Sequence, residues 1–402
     1  MATAEAQAAP HTDQIWLREL VTELSSIHRP SASVGEREAA EWLRSQFADL
    51  GVEGLIEPSP AHGTYWWPMG LAAAAGAAAG IAALRGRRFL GAALGAIAGA
   101  AAIDDLPPNG TRQLRKLLPQ GERSQIVAEI GPPDADRTIV VHAHHDAPRS
   151  GLLYSPAMPE LLLSPVPEEQ VPDTSPPLMW PVVGGPLAVA AGVALGNRAL
   201  TKLGTVVSAG TVAVLADIAA HEVVPGANDN ATGAVALVAL ARALVERPPT
   251  GARVLLLSTS EEATCDGMAE WGKGHFGSLP PESTFFLSLD SLGSPRLLVL
   301  RGEGMLRMHE YPPRSLELLD GLADELGIEL VPNLRTRNAT DGCVPLAAGY
   351  ECASISSVTE LHQISNYHWK TDVAENVDYA TVADGVRLAE AAVRRLDQRW
   401  LG

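Results

Sequence analysis

Three features of the 402-residue chain predict an α/β fold: a mixed, mostly parallel central sheet flanked by helices, with two apolar helical hairpins inserted into it. First, the runs 138–142, 253–258, 284–289 and 352–358 are short and nearly all apolar, as parallel strands buried on both faces are. Second, helical periodicity falls between them, at 231–246, 314–326 and 379–396, and repeated strand–helix units build α/β sheets. Third, two pairs of apolar segments, charge-free apart from Asp217, interrupt this alternation.

In chain order, residues 13–29 read as an amphipathic helix with Ile15, Trp16, Leu20, Leu24 and Ile27 on one face. After a loop at 31–36, a second helix carries Ala39, Trp42, Leu43 and Phe47 and ends at Gly51. Residues 52–56 read as a strand. The first apolar pair, 65–84 and 89–103, is joined by Arg85-Gly-Arg-Arg88. The second, about 178–196 and 203–220, is joined by 197–202 with Arg198 and Lys202. A membrane-spanning helix needs about 20 apolar residues. The first and third segments reach that length, the second is short, and the fourth is marginal, with Asp217 near its end. Gly76-x-x-x-Gly80, Gly91-x-x-x-Gly95-x-x-x-Gly99 and Gly192-x-x-x-Gly196 space small residues as close-packed helices in lipid do. Trp66, Trp67 and Trp180 stand at segment starts, where an interfacial belt lies. These features predict a multi-pass protein of a bacterial-type cell membrane. Both turns are basic, which places them in the cytoplasm and the remaining domain outside. That domain is discontinuous (12–56, 110–150 and 224–402). The first insert covers 57–109, and 151–223 holds a proline-rich linker and the second insert.

The net charge of −17 excludes nucleic acid as a partner. Cys265, Cys343 and Cys352 are too few for a disulfide framework, and none forms a C-x-x-C pair; a Cys343–Cys352 bridge stays open. The first residues have neither a basic start nor an apolar run, so no signal peptide is expected.

Ligands in α/β sheets bind beyond the carboxyl ends of the strands. There the chain places His144, His145 and Asp146, then Asp229, the pair Glu261–Glu262, Asp290, and a loop with His362, Tyr367 and His368. Two histidines and three carboxylates suit zinc. Three carboxylates with one hydroxide balance two zinc ions, and one carboxylate must then bridge them. Asp229, between asparagines in a glycine-bounded turn, is the best candidate. His-x-Asp spacing favours His144 over His145, with Asp146 accepting its other ring N–H. Of the glutamates, one can bind metal and the other act as general base. His368 and His362 both stand as the last ligand, His368 being the one followed by Lys-Thr-Asp. His142 reads as a satisfied core histidine, Cys265 as a buried inert thiol, Asp266 as loop surface, and His221-Glu222 as an interfacial pair.

The segments HHD (144–146), GANDNATG (226–233), STSEEATCDG (258–267), LSLDSLG (287–293) and YHWKTDVAENVD (367–378) resemble the M28 family of zinc-dependent exopeptidases, as does SSIHRPSASVGEREAAEWL (25–43). The resemblance covers most of the chain outside the inserts. It implies the zinc exopeptidase fold and two zinc ions held by His144, Asp229, Glu262, Asp290 and His368, with Asp229 bridging. It also implies Glu261 as general base to a zinc-held hydroxide, Asp146 behind His144, and Tyr367 steadying the tetrahedral intermediate. Peptides are then the expected substrates, as for an aminopeptidase; the apolar inserts, outside the resemblance, make membrane lipid an expected partner and their small-residue faces a candidate contact between copies. Two departures concern specificity: the glutamate pair continues as Ala-Thr-Cys-Asp-Gly, and a Ser-Asp-His segment common in aminopeptidases reads Thr340-Asp-Gly-Cys343. The alternatives are a one-zinc glutaminyl cyclase-like acyltransferase and a non-catalytic membrane receptor on a peptidase fold.

Overall fold

A computed structural model describes residues 9–163, 166–167, 170–260 and 264–401. Among the described residues, ten strands form two sheets: β1 (Gly54–Ala61), β2 (Gly121–Ile130), β3 (Thr138–His144), β4 (Arg253–Thr259), β5 (Thr284–Leu289), β6 (Arg296–Val299), β7 (Gly302–Glu303), β8 (His309–Glu310), β9 (Arg335–Thr336) and β10 (Glu351–Val358). The main sheet has the order β1-β2-β4-β3-β5-β10-β6, and a small sheet has the order β8-β7-β9. Strands β4, β3, β5 and β10 run parallel, while β2 and β6 run against them. The four expected apolar runs are therefore the four parallel central strands.

The sequence reading missed β2 because Glu122, Arg123 and Glu129 break its apolar run. Strand β1 runs on to Ala61, past the expected end at 56. Among the described residues it pairs with β2 alone, and Pro58 and Pro60 are tolerated on such an edge, where a missing N–H leaves no ladder bond unmade.

Alternate residues of the central strands bury into two layers. Ile139, Val141, Leu256, Phe285 and Leu287 face a core shared with α1 (Gln14–Ser26), α2 (Val34–Asp49), α9 (Thr232–Glu246), α11 (Pro313–Leu326) and α13 (Tyr379–Gln398). Val140, Leu255, Leu257 and Phe286 face Met268 and Trp271 of α10 (Asp266–His275) and Tyr350. Short helices α5 (Gln113–Lys116), α6 (Ala157–Leu163) and α12 (Cys343–Ala347) lie in the connections.

The two hairpins, α3 (Trp66–Leu84) with α4 (Arg88–Asp105) and α7 (Trp180–Ala194) with α8 (Arg198–Ala220), pack together as one four-helix bundle. Their glycines mark the contacts. A Cβ at Gly76 would lie 2.6 Å from Pro186, one at Gly185 2.6 Å from Ser208 Oγ, and one at Gly204 2.6 Å from the Val189 backbone nitrogen. Among the described residues, α3 and α8 are long and apolar enough to cross a membrane. The third segment, expected to reach that length, forms a helix of only 15 residues, whereas the fourth forms one of 23. Large apolar side chains cover the outside of the bundle: Phe89 is 94% exposed, Val206 69% and Ile97 66%.

Both basic turns lie at one end of the bundle, where Arg88 donates to the Val193 carbonyl across the hairpins. The other end rests on the sheet domain: Tyr65, Met69, Leu215 and Ile218 pack with Met305. Here one expectation changes. Asp266 is buried rather than on a loop surface, paired with Arg112 at 3.0 Å and Arg123 at 2.7 Å. Asp217, near the end of the fourth segment, accepts a hydrogen bond from the Leu152 backbone N–H at this junction.

Candidate metal centre

Parallel pairing of β3 with β4 and β5 puts His144, Thr259 and the residue after Leu289 on one rim. His144 ends β3, and Asp290 follows β5 directly. Asp229 comes from the turn ahead of α9, and His368 from the loop beyond β10, with a left-handed backbone (φ 50°). Insertion of a hairpin between His144 and Asp229 does not part them. Asp229 Oδ1 lies 3.3 Å from His144 Nε2, and its Oδ2 lies 3.2 Å from His368 Nε2. Asp290 Oδ2 is 3.9 Å from the same His144 nitrogen, and Asp146 Oδ1 is 3.3 Å from His144 Nδ1.

A missed residue brings these segments together. Arg29, with no exposed surface, donates to the His145 carbonyl at 2.7 Å, Pro225 at 2.6 Å and Gly226 at 2.7 Å. It thereby ties the turn after β3 to the turn carrying Asp229. Burial lowers its pKa to about 10, against the pull of Asp372, Asp146 and Asp229. Asp372 was missed as well: its carboxylate accepts from the backbone N–H groups of Asn228 (2.7 Å) and Asp229 (3.1 Å). The asparagines around Asp229 complete the frame. Asn228 Oδ1 accepts from Gly293 N, and Asn230 Oδ1 accepts from Ser291 N, which fixes Asp229 relative to Asp290. None of these roles has a local signature, because each is a bond between segments far apart in sequence.

Arg29→Ala removes a donor from the His145, Pro225 and Gly226 carbonyls, of which, among the described residues, Gly226 alone keeps another, the Ala231 N–H. Stability is expected to fall by about 3–5 kcal/mol, at 1–3 kcal/mol per buried unsatisfied group. Differential scanning fluorimetry should show a melting temperature about 4–6 °C lower; a change under about 2 °C would contradict the anchoring role.

The residues fit a metal ion. His144 Nε2 and Asp229 Oδ2 are buried and have no hydrogen-bond partner among the described residues. Ligands about 2.0–2.2 Å from a tetrahedral zinc stand about 3.3 Å apart, as the atoms of His144 and Asp229 do here. Among the described residues, His144, Asp229 and Asp290 converge as one such donor group. Negative charge is in surplus. Burial opposes protonation of His144, yet Asp146 and Asp229 hold its pKa well above the usual value. Burial pushes Asp341 and Asp372 up to about 7, and pushes Glu36, with help from Asp146, up to about 8. A divalent cation would relieve this crowding.

Of the other sequence candidates, Glu261 and Glu262 lie outside the described residues. Tyr367 lines the cleft beside His144, Asp229 and Asp290. His145 turns away and shares a hydrogen bond with Ser258 Oγ. His362 stands in the cleft wall, its Nδ1 3.3 Å from the Pro172 carbonyl, and is not part of the donor group. His142 is buried as expected but not satisfied: neither ring nitrogen has a partner among the described residues, and burial pushes its pKa down to about 3. All three cysteines are free thiols, so Cys343 and Cys352 form no bridge. The cleft, about 790 Å³ with its open mouth, has one apolar wall of Leu298, Leu300, Leu334 and Val358 and acidic groups at Asp229, Asp290 and Asp341.

Residues 207–393 match the model of peptidase family M28, which bears out the resemblance read from the motifs. That span holds Asp229, Glu261, Glu262, Asp290, Tyr367 and His368, whereas His144 and Asp146 precede it. No curated protein matches the chain. Solved structures of similar fold include a glutaminyl cyclase of Bacteroides thetaiotaomicron bound to N-acetylhistamine (12% identity, TM-score 0.56, 96% of this chain and 99% of that one). A Zn-dependent exopeptidase of Parabacteroides distasonis is also similar (13%, 0.53, 97% and 99%), as is an aminopeptidase of an Aneurinibacillus species (12%, 0.55, 96% and 94%). At such identities the likeness is one of fold.

Proposed function

We propose, for a chain whose residues 207–393 match peptidase family M28 on a zinc exopeptidase-like fold, that it is a membrane-held aminopeptidase working with two zinc ions. The observation that carries this reading is Asp229, a buried carboxylate with one oxygen toward His144 and the other toward His368. That is the posture of a bridge between two ions. His144 and Asp290 would hold one ion, and His368 and Glu262 the other. When bound, zinc supplies a Lewis acid that lowers the pKa of water to about 7 and polarises a carbonyl. Asp146 keeps the His144 ring oriented with Nε2 inward. Glu261 takes the proton of the attacking water and returns it to the leaving amine. Tyr367, in the cleft wall, donates a hydrogen bond to the oxygen that gains charge. Asp341, the cleft carboxylate not assigned to a metal, supports a terminal ammonium over a terminal carboxylate, and so amino- rather than carboxypeptidase action.

A panel of peptides with free and acetylated N-termini tests this. Release of the first residue from free peptides alone, lost with a chelator and restored by zinc, is expected. Conversion of N-terminal Gln to pyroglutamate without hydrolysis would favour the cyclase reading instead. Absence of any turnover with both metals bound would favour a receptor.

The exposed apolar belt of the bundle supports seating in a bilayer. The chain is expected to stay in the membrane pellet after an alkaline carbonate wash, and release into the supernatant would refute insertion. With the basic turns cytoplasmic, the catalytic domain faces outward. Added protease should then degrade it in intact spheroplasts; complete protection would reverse the orientation.

A further inference from the structure

Tyr154 lies between the sheet domain and the bundle and belongs to neither the motifs nor the strands. It sits at the end of a short turn entering the second insert. The bundle holds that turn in two ways. The Leu152 N–H donates to Asp217 Oδ2 of α8 at 2.7 Å, and Gly151 packs so closely on Ile218 that a Cβ there would lie 2.7 Å from its side chain. The Tyr154 hydroxyl is 2.7 Å from that of Tyr65, the residue capping α3. On its other side, the Tyr154 ring lies against His368, with centroids 4.5 Å apart, and edge-on to Tyr367 at 5.8 Å. Tyr367 itself stacks on His368 at 4.0 Å. The His368 imidazole is thus confined by two tyrosine rings while its Nε2 points at Asp229 Oδ2.

We propose that Tyr154 is a positioning residue that holds His368 in its ligating orientation, and that Tyr65 at the foot of the first hairpin sets Tyr154 in place. Each insert contributes one tyrosine to this contact, so the bundle helps build the metal site as well as anchoring it. Groups that orient a ligand typically account for about 10–100-fold in metal affinity. The inference rests on the reading of His368 as a ligand of the second ion.

The test uses full-length metal-free protein in detergent, titrated with Co²⁺ and followed by visible absorption, which reports ligand geometry. Tyr154→Leu should weaken uptake of the second equivalent by about tenfold or more and move its absorption band, with the first equivalent unchanged. In the zinc-loaded protein kcat should fall while KM holds. Tyr154→Phe and Tyr65→Phe remove the same hydrogen bond, so they should match each other and fall between wild type and Tyr154→Leu. Unaltered second-site affinity and band in Tyr154→Leu overturn the proposal. If that variant does not fold, unshifted second-site spectra in both Phe variants overturn it. A wild-type protein that takes up only one equivalent overturns the two-metal reading, and this inference with it.

Discussion

Asp229→Asn is expected to lower kcat/KM by on the order of 10³-fold or more and to cut bound zinc from two equivalents to one or none. The substitution keeps size and shape, so the frame around position 229 stays. Asp372 still accepts the backbone N–H groups of Asn228 and Asp229, and the Asn228 and Asn230 side chains still bind the 291–293 backbone. What changes is chemistry. An amide presents one acceptor oxygen and one NH₂, so it cannot face both His144 and His368 as an acceptor. Losing the charge also removes the one carboxylate that the two sites share. Atomic emission on the purified variant, beside its kinetics, gives the result. Two retained zinc ions with turnover within about tenfold of wild type would remove Asp229 from the bridging role.

Glu261→Gln should separate from this by leaving the metal in place. Here kcat is expected to fall by about 10²–10⁴-fold, the usual contribution of a positioned acid–base group, with two zinc ions retained and KM little changed. The acidic limb of the kcat/KM profile, which reports the base in the free enzyme, should disappear. Glu262→Gln should instead lose one metal ion. If the two variants exchange behaviours, the roles of the adjacent glutamates exchange too; if Glu261→Gln turns over normally, neither this base nor the hydrolytic mechanism stands.

Strands β3, β4, β5 and β10 were legible because a strand buried on both faces must be apolar throughout. Strand β2 was not, because Gln125 and Arg123 turn into polar partners on the sheet face: Gln125 donates to the Gly267 carbonyl and Arg123 to Asp266. At Arg123 charge meant burial in a network rather than exposure, whereas Glu122 and Glu129 are exposed. The same misreading touched Asp266 itself, and His142 shows the reverse case, a polar ring buried without the bonds that burial usually demands.

The candidate site divides in the same way. Its chemistry was written in the sequence, because donor atoms must be His, Asp or Glu and must follow strands that end on one rim. His144, Asp229, Asp290 and His368 were nameable from that rule and from the family resemblance. Their common location was decided only by the tertiary structure. Arg29 bonds carbonyls more than a hundred positions away, Asp372 holds the Asp229 backbone, and Tyr154 reaches His368 across an insert. A residue's donor chemistry belongs to its side chain and can be read one position at a time. Its orientation belongs to the partners packed around it, and those are chosen by the fold.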